Sequence, residues 1–203
     1  MEWLLQLDLE IFLFLNGLHF PAGDILFYWI SNPYIWIPLY IFIIALIIKQ
    51  WRKQAVMAIL LLFLTAGWND YFCNTVKYKT HRLRPSQTPE LADQVHLVRK
   101  PDGTLYRGGK FSFPSAHAAN SCVMVFFFGF FVRTRRKWPL ILMIVWSLLL
   151  AYSRIYLGVH YPGDILAGYL IGSGWSCLVL YIWKKSPKVR GEWIYKSSTD
   201  FES

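Results

Sequence analysis

Apolar residues fall into five long runs, and short polar or basic segments separate them. The runs cover residues 32–48, 55–76, 116–132, 138–156 and 165–183. A transmembrane α-helix needs about 20 mostly apolar residues, and the short first run is extended by the apolar residues at 27–30. The pattern therefore predicts an all-α integral membrane bundle with five transmembrane helices.

The first 31 residues follow a different pattern, because polar side chains interrupt the apolar ones. The interruptions are Asp8, Glu10, Asn16 and Asp24, and a Pro-Ala-Gly break begins at Pro21. We expect an amphipathic helical segment that lies in the membrane interface, with a sixth span as the alternative. The chain then divides into an N-terminal segment at 1–31, a membrane domain at 32–183 with an outer loop at 86–112, and a cytoplasmic basic tail at 184–203.

The composition supports a membrane protein and argues against other classes. Hydrophobic residues make up 55% of the 203 residues and charged residues only 16%, whereas soluble domains carry about 25% charged residues. The net charge of +9 would suggest nucleic acid in a soluble protein. Here the basic residues lie between apolar runs, so no nucleic-acid partner is expected. The three cysteines show no paired spacing, so they indicate neither a disulfide framework nor a metal site.

Short basic connections predict how the chain is oriented in the membrane. The basic residues of three such connections are Lys49, Arg52 and Lys53; Arg133, Arg135, Arg136 and Lys137; and Lys184, Lys185, Lys188 and Arg190. The positive-inside rule places these connections in the cytoplasm. We therefore expect a multi-pass protein of the inner or plasma membrane, whose opposite helix ends face the periplasm or the cell exterior.

Three motifs lie at those opposite ends. They are Lys77-x6-Arg84-Pro85, Pro114-Ser115-Ala116-His117 and Ser153-Arg154-x5-His160-x3-Asp164. Together they supply three cations, two imidazoles, one carboxylate and the hydroxyl of Ser115. This inventory suits an enzyme that binds a phosphate group, attacks phosphorus through a histidine and protonates the departing oxygen.

The two histidines are predicted to divide this chemistry. Asp164 falls in the first turn of the last span and can reach back to one nitrogen of His160, which leaves the other nitrogen free to attack. His117 falls at the start of the third span, where free N–H groups and the helix dipole favour an anion. His117 is therefore the candidate acid for the leaving group.

The remaining motif side chains are predicted to hold the phosphate oxygens. They are Lys77, Arg84, Ser115 and Arg154. An ammonium group and two planar guanidinium groups suit this task. Snorkelling at the interface would explain isolated cations equally well, and it applies to the neighbours Lys79 and Arg82 too. The motifs in combination separate the candidate ligands from these neighbours.

These residues resemble the signature of the type 2 phosphatidic acid phosphatase family, within the superfamily that includes the vanadium haloperoxidases. The resemblance runs from about residue 31 to 183. It implies that His160 is the nucleophile, that Asp164 holds it, and that His117 protonates the leaving group. It also implies phosphate binding by the four side chains above, with no metal ion or other cofactor. Ala116 departs from the family's usual glycine, and many members have six spans.

The resemblance implies a metal-independent lipid phosphatase that works through a phosphohistidine. Its substrate would be a lipid phosphate or diphosphate, such as phosphatidic acid, phosphatidylglycerophosphate, undecaprenyl diphosphate or lipid A phosphate. The alternatives are a lipid-phosphate binding or transport protein and a vanadate-dependent peroxidase on the same scaffold. Apart from the bilayer and the lipid, no obligate protein partner is evident.

The outer loop carries one further pattern. Two short strand-like runs flank Pro101-Asp102-Gly103, which predicts a small hairpin. Either the hairpin covers the site or it is an ordinary solvated loop, and the sequence leaves both open.

Overall fold

A computed structural model describes residues 2–132 and 134–186. Their α-helices are α1 (Glu2–Gly17), α2 (Pro21–Ile30), α3 (Ile37–Trp51), α4 (Ala55–Thr80), α5 (Ala116–Phe131), α6 (Trp138–Tyr156) and α7 (Pro162–Lys185). Short 3-10 turns occupy Pro33–Trp36, Arg52–Gln54, Pro85–Gln87 and Pro89–Leu91. Arg133, Lys188 and Arg190, and with them most of the predicted basic tail, lie outside the described residues.

The predicted all-α membrane bundle is confirmed, and each of the five apolar runs is helical. By length and composition, the helical stretches of the described residues that can cross a membrane are Pro33–Thr80, Trp138–Tyr156 and Pro162–Lys185. The helices α1 and α2 pass the same test only when they are taken together as one bent pair. The first stretch contains both α3 and α4, with a break at Arg52, whose φ is 40°. The helix α5 is apolar but has only 16 residues.

The helices α3 and α4 run antiparallel. Tyr40 and Ile44 of α3 share a cavity wall with Leu62 and Ala66 of α4, so positions that approach each other lie on opposite sides of the break. Near that break, Trp51 is almost fully buried and its indole nitrogen donates to the carbonyl oxygen of Phe131 over 2.7 Å. The chain thus reverses at the end of the bundle opposite the three motifs.

The N-terminal segment consists of two helices rather than one amphipathic helix. The axes of α1 and α2 meet at 115°, since Pro21 suits the first turn of a new helix. Phe12 of α1 is fully buried, with its ring 5.3 Å from that of Tyr161. The side-chain amide of Asn16 donates to the carbonyl oxygens of Ile155 and Tyr156 at 3.2 and 2.9 Å. The segment is therefore packed onto the motif end of the bundle.

The close approach of α5 and α7 depends on two glycines of α7. A Cβ atom at Gly168 would collide with the carbonyl oxygen of Ser115, and one at Gly172 with that of Ala119. Small residues at such crossings let helix backbones approach closely within a membrane. This packing brings the start of α5, with His117, next to the start of α7.

We predict that Gly172→Leu destabilises the fold by about 1–3 kcal/mol, because a larger side chain must push α5 away from α7. Gly174→Leu is the matched control on the same helix, since a Cβ atom there meets nothing within 4 Å. Thermal unfolding of the two purified variants in one detergent measures the difference. Equal unfolding midpoints would contradict the assigned role of Gly172.

Candidate active site

The segment between α6 and α7 carries the histidine of the third motif. Gly158, with φ of 68°, begins the turn that leads to His160, whose exposed fraction is 1%. The Nδ1 atom of His160 lies 3.4 Å from Oδ2 of Asp164, and the same oxygen accepts the Tyr161 N–H at 2.9 Å. Asp164 thus orients the histidine and caps α7, and these two functions are compatible.

Arg82 holds the other oxygen of this carboxylate, a role that the motif search missed. One guanidinium nitrogen lies 2.8 Å from Oδ1 of Asp164 and the other 2.6 Å from Oδ2 of Asp8. The guanidinium also stacks 4.1 Å from the centre of the Tyr161 ring. Asp8 in turn accepts the Gly163 N–H at 2.7 Å. An ion-paired chain therefore runs from α1 through Arg82 to the carboxylate beside His160.

The second motif starts α5 and contacts the third motif directly. Ser115 is the N-cap of α5, and its side chain accepts the N–H of Ala118 at 3.4 Å. The backbone N–H of Ser115 donates to the carbonyl oxygen of Asp164 at 2.9 Å. Pro114 therefore precedes the cap and lies outside α5. His117 is half-buried within α5.

The three predicted cations lie around the two histidines. Lys77 lies in the last turn of α4, and Arg84 follows in the loop. Arg154 is 3% exposed, and its guanidinium donates to the hydroxyls of Ser31 and Tyr106. The Nε atom of Arg154 is buried and has no hydrogen-bond partner. A buried donor without a partner can still donate a hydrogen bond to a bound anion.

These cations raise the positive potential inside the cluster. Burial, followed by repulsion from Arg154, lowers the pKa of Arg84 to about 10. Burial and then the charges of Arg154, Arg84 and Lys77 lower the pKa of His160 well below its usual value. His160 is thus neutral at pH 7, which a nitrogen nucleophile requires. A bound phosphate would relieve the repulsion among the cations.

The outer loop covers part of the cluster. Arg99 and Leu105 form an antiparallel bridge, so the predicted hairpin is confirmed, although it is very short. The hydroxyl of Tyr106 lies 3.2 Å from a guanidinium nitrogen of Arg154. Arg84 donates through Nε to the carbonyl oxygen of Phe111 at 3.0 Å. Of the two interpretations of this loop, contact with the site is the one that the structure favours.

Across residues 2–132 and 134–186, the structure contains no group of three or more histidine, cysteine, aspartate or glutamate side chains that could hold a metal ion. The absence of a metal ion from the reaction stays a prediction.

The fold and the cluster together define a class of protein. A bundle of apolar helices holds two histidines, one paired with a carboxylate, among three cations at one end of the membrane domain. A match to the PAP2 superfamily covers residues 55–188. The chain belongs to this superfamily, as the resemblance predicted.

Individual relatives agree with the family. The chain is 37% identical to the lipid A 4'-phosphatase of Bacteroides thetaiotaomicron over 86% of its own length and 76% of that protein. It is 30% identical to an undecaprenyl-diphosphatase of Sulfolobus acidocaldarius over 82% of its length and 72% of that protein. The crystal structure of a transmembrane PAP2-type phosphatidylglycerolphosphate phosphatase from Bacillus subtilis superimposes with a TM-score of 0.68 at 25% identity, covering 92% of this chain and 90% of the other.

We predict that Arg82→Gln lowers kcat at least about tenfold and changes KM little, because Asp164 then loses its strongest partner and orients His160 less well. Lys79→Gln is the matched control, since Lys79 is an exposed cation at the same end of α4. Steady-state kinetics of phosphate release on both variants gives the comparison. Equal effects would show that Arg82 acts only as an interfacial charge.

Proposed function

We propose that the protein removes a phosphate group from a membrane lipid through a covalent phosphohistidine on His160. The observation that carries this proposal is the neutral, buried imidazole of His160, held by Asp164 and surrounded by the charges of Lys77, Arg84 and Arg154. Relatives named as lipid phosphatases support hydrolysis over the transport and peroxidase alternatives.

The geometry supports a two-step reaction. Nδ1 of His160 faces Asp164, so Nε2 attacks phosphorus while the bond from phosphorus to the ester oxygen breaks. His117 gives a proton to that oxygen, and the lipid leaves as an alcohol. A water molecule, deprotonated by His117, then attacks the phosphohistidine and breaks the P–N bond. The cations stabilise the charge on the phosphate oxygens in both steps.

A cavity of about 360 Å³ beside His117 supports a lipid substrate. It lies between α3, α4 and α5, and its wall is mostly apolar. Trp36, Leu62, Phe63 and Met124 contribute to this wall. Such a wall suits the hydrocarbon part of a substrate whose phosphate lies at the motif end.

Among lipid phosphates, we propose a lipid A-type phosphomonoester as the first candidate. The support is the 37% identity to a lipid A 4'-phosphatase, compared with 30% to an undecaprenyl-diphosphatase. We further propose that the site faces the periplasm or the cell exterior. Basic residues at the opposite end support that orientation: Lys49 in the last turn of α3, Lys53 just after α3, and Lys185 at the end of α7.

His160→Ala is expected to abolish turnover and the covalent intermediate together, because the proposed mechanism assigns the P–N bond to His160. Rapid quenching with a radiolabelled lipid phosphate should give acid-labile labelled enzyme with the wild type and none with the variant. Wild-type activity should persist in EDTA. Full activity of the variant, or a complete loss in EDTA that magnesium restores, would contradict the mechanism.

The orientation has its own test with single cysteines. In a background without Cys73, Cys122 and Cys177, Thr104→Cys should react with an impermeant thiol reagent on intact cells. Thr134→Cys, at the opposite end of the bundle, should react only after the membrane is permeabilised. The reverse pattern would place the site in the cytoplasm.

A further inference from the structure

The cavity beside His117 lies on the leaving-group side of the site. Its wall includes Ala116 and His117 but none of the side chains that would attack or clamp the phosphate. Those side chains are Lys77, Arg84, Arg154 and His160. A phosphate held among them presents its departing oxygen to His117, so the part of the substrate attached to that oxygen enters the cavity.

A pair of polar side chains lies in the cavity wall close to His117. The side-chain amide of Asn120 donates to Oδ1 of Asp70 over 3.0 Å, and both residues line the cavity. His117 and Asn120 are three residues apart on α5, which places them on one face at about 5–6 Å between Cβ atoms. The pair therefore meets the first few atoms beyond the departing oxygen.

This pair offers acceptors to a ligand. An ionised carboxylate can only accept hydrogen bonds, so Asn120 must turn its NH2 group toward Asp70. Its carbonyl oxygen Oδ1 is buried and has no hydrogen-bond partner. Ser121, also in the wall, is already bonded to Ser147 at 2.8 Å. The acceptor oxygens of Asp70 and Asn120 thus lie in a cavity wall that is otherwise mostly apolar.

Building on the proposed function, we propose that Asp70 and Asn120 select phosphomonoesters whose leaving group carries a hydrogen-bond donor close to the departing oxygen. A hydroxyl or an amide N–H on the carbon next to the phosphorylated carbon fits the pair. Sugar and glycerol phosphates have this chemistry.

The same pair disfavours diphosphates. When a prenyl diphosphate is cleaved, the leaving group is itself a phosphate, which carries negative charge and has no donor when fully ionised. It would enter the cavity toward the carboxylate of Asp70, and like charges at short range repel. The inference therefore places a saccharide- or glycerol-linked monophosphate ahead of a polyprenyl diphosphate.

A matched pair of substrates tests the inference on the unaltered protein. One is a 1-O-alkyl glycerol 3-phosphate with a free C2 hydroxyl, and the other is its 2-deoxy analogue with the same alkyl chain. We expect kcat/KM to be at least about tenfold higher for the hydroxylated ester, the effect of one hydrogen bond to a charged group. Farnesyl diphosphate should be slower than the hydroxylated ester.

The Asp70→Asn variant tests whether the preference depends on Asp70. Its control is Asp93→Asn, which makes the same substitution at an exposed position of the outer loop. The preference for the hydroxylated ester should fall toward one in Asp70→Asn and stay unchanged in Asp93→Asn. The ratio of two substrates on one preparation does not depend on how much of a variant folds.

The outcomes separate two failures. Equal kcat/KM values for both esters with the wild type would overturn the inference and leave the proposed function standing. An Asp70→Asn variant that loses the same factor on both esters would also overturn it, since Asp70 would then act through Lys77, two turns along α4. If the wild type hydrolyses neither ester, nor the diphosphate, nor a lipid A-type phosphomonoester, the proposed function fails as well.

Discussion

The carboxylate of Asp164 is the constraint on which the motif end of this bundle depends. One oxygen binds Arg82, and the other accepts the Tyr161 N–H and faces His160. The backbone carbonyl of the same residue receives the Ser115 N–H. Because a buried carboxylate is stable only when it is paired and hydrogen-bonded, these partners must all be present together. Asp164 therefore both joins the start of α7 to the start of α5 and completes the candidate site.

The cations have the opposite requirement, since their positive charges repel each other. Asp164 is the carboxylate beside His160 in the described part of the site, and it already forms a salt bridge with Arg82. Burial and then the charge of Arg154 lower the pKa of Arg84, and the Arg154 Nε atom has no hydrogen-bond partner. Such an arrangement is costly without a ligand and favourable with a phosphate bound. The candidate site therefore favours the binding of anions.

Much of this could be predicted from the sequence, because periodicity and motif spacing report on local structure. The five apolar runs marked α3 to α7, and the spacing of His160 and Asp164 indicated their contact. The Arg82–Asp8 pair could not be found this way, since the two residues are 74 positions apart and Arg82 looks like any interfacial cation. Asp8 appeared only as an interruption in an apolar run. Packing within the membrane decided that this interruption faces the site.

The N-terminal segment contributes contacts to the candidate site. The family match covers residues 55–188, yet Asp8 and Ser31, which hold Arg82 and Arg154, come before it. Asn16 binds carbonyl oxygens at the end of α6 as well. A segment that lay free in the interface would leave Arg154 without its Ser31 contact and Arg82 with one carboxylate instead of two. The family motifs thus contain the candidate reacting groups, while residues before the matched region contact the side chains around them.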